Sequence, residues 1–206
     1  MCIRTRSRHD AALCPNRVLQ WFLRMHSLSR KQLEALQAAA KESARDTLMI
    51  ALAVEHGLRA TEVCKLRVQD FDTSTNTVYL TVQRLKGSRR TRQPLFPATQ
   101  SRLIKLISGK RLGDYLFPGT NPGQHITRVT FWRVFKRHCR ATGLIPAHLS
   151  PHALKHTTAL LGLHGGMKIN EVQTYLGHAS GASTLRYLMV GDTEASSAFR
   201  NAFSKA

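Results

Sequence analysis

Acidic residues are scarce in this chain. Of its 206 residues only 12 are Asp or Glu, against 31 Lys or Arg, a net charge of +19. Between Asp72 and Glu171 the sequence has one acid, Asp114, and sixteen basic residues. A surface charged only for solubility mixes its signs, so the excess points to a polyanionic partner, nucleic acid first. The chain also lacks the carboxylate cluster that two-metal nuclease chemistry needs, and no metal or other cofactor is expected. Cysteine is sparse: Cys2, Cys14, Cys64 and Cys139 have no metal-ligand spacing and are too few for a disulfide scaffold. A reduced compartment fits. No stretch approaches the ~18 apolar residues of a membrane span. The basic N-terminus has no apolar core of signal-peptide length. A soluble cytoplasmic protein, not associated with membrane, is the expectation.

What the chain does contain is enough for one domain with an extra arm. The apolar fraction of 42% supports an ordinary core. Residues 1–27 are irregular and basic, read either as a poorly ordered leader or as an arm that tracks phosphates. Ser29-Arg-Lys-Gln32 is a capping box, followed by Leu33, Leu36 and Ala40 at helical spacing. A second helix is predicted from Ala44 to His56, ended by Gly57. A third is predicted from Thr61 as its cap. Val78, Leu80 and Val82 then alternate with Tyr79 and Thr81, which signals a strand. Lys86-Gly87-Ser88 makes a turn, Gln93 to Phe96 a return strand, and Val68 to Phe71 a third strand.

Helices resume from Ala98 to Ser108 and from a Thr127 cap to Ala141, the latter with Val129, Trp132, Phe135 and Cys139 as its apolar face. Ser150-Pro151 reads as a helix start with a capping serine, and Asn170 as the cap of a short helix ending at Gly177. The fold class is therefore mainly α with a small antiparallel β-sheet (α+β). Phe199 and Phe203, four apart, give the tail from Gly191 a possible buried face, packed in cis or against another subunit.

Arg59, Lys86, His152, Lys155, His178 and Tyr187 make a chemical set. A tyrosine attacking a phosphodiester needs cations around the phosphate. It needs an acceptor for a phenolic proton of ordinary pKa ~10, and a donor for the leaving oxygen. Arg59, Lys155 and the imidazoles suit the first task, His152 the second and Lys86 the third.

These residues fall in motifs that resemble the catalytic domain of the tyrosine recombinases, the phage-integrase family. Gly57-Leu58-Arg59-Ala60-Thr61-Glu62-Val63 is similar to its first arginine box, and Lys86-Gly87 to its β-hairpin lysine. His152-Ala-Leu-Lys155-His156 is similar to its second box and Leu176-Gly177-His178 to its third motif. Tyr187, nine residues after His178, is similar to its nucleophile. The resemblance spans residues 28–190, with 1–27 as an arm and 191–206 as a tail that packs either in cis or against a neighbouring subunit.

It implies site-specific DNA recombination through a 3′-phosphotyrosine. Arg59 and His178 would bind phosphate, Lys86 would act as general acid, and His152 would share a proton with Tyr187. Glu62 and His156 would brace the site. Arg84, Arg89, Arg90, Arg92, Arg128, Arg133, Lys136, Arg137 and Arg140 are the candidate DNA contacts. The implied partners are double-stranded DNA, a homo-oligomer on that DNA with a tetrameric synapse, and an accessory DNA-bending protein. The implied location is the bacterial nucleoid.

There are two departures from the pattern. Lys155 stands where the family usually has arginine, and only 27 residues precede the domain. The chain thus looks like a minimal recombinase, similar to short fimbrial invertases, or a truncated integrase. A catalytically weak DNA-binding relative and a type IB topoisomerase are the alternatives.

Overall fold

Three of the described helix starts are set by a glutamine or glutamate at the third helical position. In the computed structural model, which describes residues 27–84, 90–144 and 149–177, helix α1 (Arg30–Ala39) begins at Ser29. Gln32 reaches back to the Ser29 amide at 2.8 Å, and Ser29 Oγ accepts from the Gln32 amide. Helix α3 (Ala60–Lys65) begins two residues earlier than the Thr61 cap predicts, because Glu62 accepts from the Arg59 N–H at 2.7 Å. The last described helix, Ile169–Tyr175, starts at Lys168 rather than Asn170 for the same reason: Glu171 accepts from the Lys168 N–H at 2.7 Å. A glutamate at the third helical position satisfies an amide that the helix itself leaves open.

Helix α2 (Ala44–Glu55) is the central rod, buried from Asp46 to Val54. Gly57 ends its turn with φ +56. A β-carbon there would lie 2.2 Å from Leu176 Cδ2, so glycine is required both by the left-handed backbone and by the close approach. After α3, Val68–Asp70 forms a short 3₁₀ turn where a strand is predicted. Only Phe71–Asp72 (β1) pairs with Tyr79–Val82 (β2), which pairs in turn with Thr91–Pro94 (β3). The sheet is antiparallel in the order β1-β2-β3, with Leu80 opposite Gln93.

Leu80 and Val82 turn inward, and so does Gln93. Helix α4 (Pro97–Ile107) starts on a proline at the first helical position. Helix α5 (Arg128–Ala141) is capped by Thr127. Its buried apolar face is Phe131, Val134, Phe135 and Cys139; Val129 and Trp132, predicted to share it, are 55% and 44% exposed. The face is turned toward Phe131, which repeats at i+3, i+4 and i+8 with the other three. Helix α6 (His152–His164) starts after Pro151, while Ser150 gives only its carbonyl, to the Ala153 amide.

Two cores result. The larger joins α1 through the buried side of α6. The smaller packs Ala159 of α6 against Val172 and Leu176 at the end of helix α7 (Ile169–Tyr175). Leu28 N–H donates to Thr157 Oγ1, pinning the chain before α1 to α6. No described helix is long and apolar enough to cross a membrane.

Candidate active site

The first box and the second box meet across a cleft. Arg59, Ala60 and Thr61 form one side; Ser150, Pro151 and His152 form another; Arg128, Val129 and Trp132 of α5 complete it around about 630 Å³. Arg59 and His152 are 93 positions apart in the sequence, and the packing of α6 on α2, which leads into the first box, brings them together.

Each side chain has a structural reason for its position. Arg59 occupies the residue before α3 in extended backbone, φ −72 and ψ 152, so its side chain leaves the helix start instead of lying along it. Its Nη1 donates to Glu62 Oε1 at 3.0 Å, and its side chain keeps 24% exposure. Glu62 is 4% exposed. Its other oxygen takes the Arg59 backbone N–H and a contact from Arg84 Nη1 at 3.4 Å. One carboxylate thus orients two guanidiniums. His152 opens α6, and His156 stands one turn on, its ring edge-on to His152 with centroids 4.7 Å apart.

Lys155 lies on the inner side of α6 and is 3% exposed. Its Nζ donates to the Leu176 carbonyl at 3.2 Å. Burial pulls its pKa down to about 7, the nearby Arg84 and Arg59 charges push the same way, and Glu62 opposes them. His56, the residue before Gly57, is likewise depressed, to about 4: burial dominates, the Gln93 hydrogen bond opposes it, and the Arg84 charge adds to it. It is neutral, and Nδ1 donates to Gln93 Oε1 at 2.9 Å.

The expected DNA contacts divide. Arg90, Arg92, Arg128, Arg133, Arg137 and Arg140 are exposed. Arg92 covers the Tyr79 ring at 3.8 Å and pairs with Asp72, and Arg137 pairs with buried Asp46. Two assignments do not fit a DNA-facing position. Arg84 is 3% exposed and Lys136 is 6% exposed. Arg84 is enclosed because Glu62 and four other oxygens draw it inward. Lys136 folds over the Trp132 ring, 5.1 Å from its centroid, and buries its stem there. Lys86, Arg89, His178 and Tyr187 lie outside the described residues, as do residues 1–26 and the tail from Gly191.

Gln93, His56 and Tyr175 belong to the support of the site and carried no signal in the sequence. Strand β3 reads Thr-Arg-Gln-Pro, without an apolar residue to announce which side faces in.

Comparison with known proteins places this arrangement. The chain is 34% identical over 165 residues to a tyrosine recombinase of Pseudothermotoga lettingae, covering 79% of this chain and 56% of that one. It is 30% identical over 177 residues to tyrosine recombinase XerD of Vibrio cholerae, covering 79% and 56%. The chain thus spans about half the length of the curated relatives it matches. Among solved structures, XerA recombinase superposes with a TM-score of 0.68 at 27% identity, covering 87% of this chain and 64% of that one. XerH recombinase bound to difH shares the fold with a TM-score of 0.72 at 22% identity, covering 84% and 53%. The model of the phage integrase family matches residues 26–194. That match contains the cleft, both boxes and the sheet between them, and the chain belongs to the phage integrase family.

Proposed function

We propose that the chain cleaves and rejoins duplex DNA as a site-specific recombinase, with Tyr187 forming a 3′-phosphotyrosine link. The observation that carries this reading is the shared cleft of Arg59 and His152, a fixed cation opposite an imidazole beneath an apolar rim. A phosphodiester seated there has its growing charge met by Arg59, held in place by Glu62 before the substrate arrives. In this reading His152 takes the tyrosine proton. Lys86 supplies the proton for the leaving 5′ oxygen, and His178 a hydrogen bond to phosphate. The link stores the phosphodiester energy, so rejoining needs no cofactor. The exposed arginines of α5 and β3 give the DNA its electrostatic footing. Strand exchange requires two duplexes, so a homo-oligomer assembled on DNA, with the tail after Gly191 as a subunit contact, belongs to the same reading.

A second reading has one observation in its favour. Lys155 is buried and its amine is engaged by a backbone carbonyl, which suits a DNA-binding relative of weak catalytic power. One experiment separates the two. Nicked suicide substrates carrying candidate sites should yield an adduct that survives SDS and disappears in Tyr187→Phe. Absence of any adduct with DNA binding intact would favour the second reading.

A further inference from the structure

Arg84 is a buried cation whose hydrogen bonds reach four segments. Its Nε donates to Thr91 Oγ1 on β3 at 3.0 Å, and Nη1 to the Gly57 carbonyl at 3.2 Å and Glu62 Oε2 at 3.4 Å. Its Nη2 donates to the carbonyls of His56 at 2.9 Å and Tyr175 at 3.2 Å. Gln93, on the paired strand, donates to the same Tyr175 carbonyl at 2.6 Å and accepts from His56. Tyr175 ends α7, where the open carbonyls attract donors and positive charge. Lys155 takes the next carbonyl, that of Leu176. A buried ion pair is a poor way to gain stability alone, since an apolar pair of similar size often does as well. Here the same carboxylate holds Arg59, and the same guanidinium holds the residues just before Gly177 and His178.

We infer that Arg84, helped by Gln93, is a positioning residue for cleavage, locking the β2–β3 hairpin, the first box and the end of α7 into one frame. The inference rests on the recombinase reading. The hairpin carries Lys86 two residues after Arg84, and α7 leads to His178 three residues after Tyr175. The clamp thus ties the segments that lead to the proton donor and to the phosphate ligand to the box that carries Arg59. The planar fork of arginine spans these acceptors together; a lysine amine has the charge without the reach.

The test uses the full chain on a suicide substrate, with adduct rate at saturating DNA, DNA affinity and melting temperature measured side by side. Wild type must first give the Tyr187-dependent adduct; if it does not, the recombinase reading fails and the clamp is not what was disproved. Given that adduct, Arg84→Met should lower the saturated rate by about 100-fold, as small misplacements of catalytic groups do, with affinity unchanged within about two-fold. Arg84→Lys should fall between the two. A rate restored by raising DNA concentration, with weakened affinity, would make Arg84 a phosphate contact and overturn the inference. If Arg84→Met does not fold, Gln93→Met decides. It removes the bond from β3 to the end of α7 while leaving Arg84 and Glu62 in place, and it should slow the saturated rate by about ten-fold. A wild-type rate in that variant would equally overturn the clamp.

Discussion

Arg59 and Lys155, the cations of the first and second boxes, are held in opposite ways. Arg59 is partly exposed and pairs with a buried carboxylate that it shares with Arg84. Lys155 is closed off, bonds a backbone carbonyl, and makes no salt bridge among the described residues. Arginine stays charged under any ordinary condition. A lysine in the second position does not: burial, with the Arg84 and Arg59 charges adding to it, brings its pKa to about 7. The site therefore combines one permanent positive charge, fixed by covalent chemistry and a counter-ion, with one conditional charge set by its surroundings. The arginine that the family usually has in the second box would remove that condition.

The comparison breaks most completely if Glu62 is removed. Glu62→Ala frees Arg59 from its orienting carboxylate and leaves Arg84 buried without its acid. Stripping one partner from a buried pair costs about 3–5 kcal/mol, so the urea midpoint should drop sharply. Cleavage at saturating DNA should fall by about 100- to 1000-fold, the scale of losing a preorganised charge contact. An alanine variant that melts and cleaves like wild type would show that Arg59 needs no brace.

The permanent half of the site was far more legible in the sequence than the conditional half. Gly57, Arg59 and Glu62 sit within six residues, so the helix-ending glycine and the motif were legible together, although the next helix was expected to be capped at Thr61 rather than Arg59. The clamp behind them could not be read so. Arg84 looked like one more basic residue beside a hairpin turn, because nothing local distinguishes an arginine aimed at a phosphate from one aimed inward at Glu62. Gln93 is silent for the same reason, since its partners Tyr175 and His56 lie 82 and 37 residues away. Trp132 and Val129 show the limit of periodicity: the helix was right in both bounds, yet the apolar face was placed too near the cleft. Those two exposed apolar residues instead line the site beside Arg59. Helix and sheet follow from local pattern; which polar residue faces inward is decided by tertiary partners.

Lys155→Arg sharpens the contrast without breaking the fold. In wild type the folded pKa near 7 lies below the ordinary 10.5. Charge at this position is thus full below about pH 6 and is lost as pH rises through 7, with bound phosphate moving that limb upward. The adduct rate at saturating DNA should decline on the alkaline side by about ten-fold relative to the arginine variant, whose profile should stay flat there. Stability shows the opposite sign: charging a buried lysine is unfavourable, so wild type gains stability as pH rises from 7 toward 10.5. Parallel pH–rate profiles for the two proteins would remove Lys155 as the titrating group.

The smallest effect tests whether burial governs an acid by the same rule. Glu55, at the last turn of α2, accepts from Thr99 Oγ1 at 2.8 Å through one oxygen, while the other is buried with no hydrogen-bond partner. Burial raises its pKa to about 7, with the Thr99 bond and the Arg102 charge opposing. The sign is the reverse of a salt-bridged acid. Between pH 4.5 and 7 the folded protein holds a proton that the unfolded chain has lost, so stability falls across that window and the full penalty remains above it. Glu55→Gln keeps the acceptor for Thr99 and removes the titration. It should therefore raise stability at pH 8 by about 1–2 kcal/mol relative to its effect at pH 4.5, measured from urea midpoints at the two pH values. An equal difference at both would mean that Glu55 does not titrate within that window, and that an acid next to the first box is held charged in the way Glu62 is.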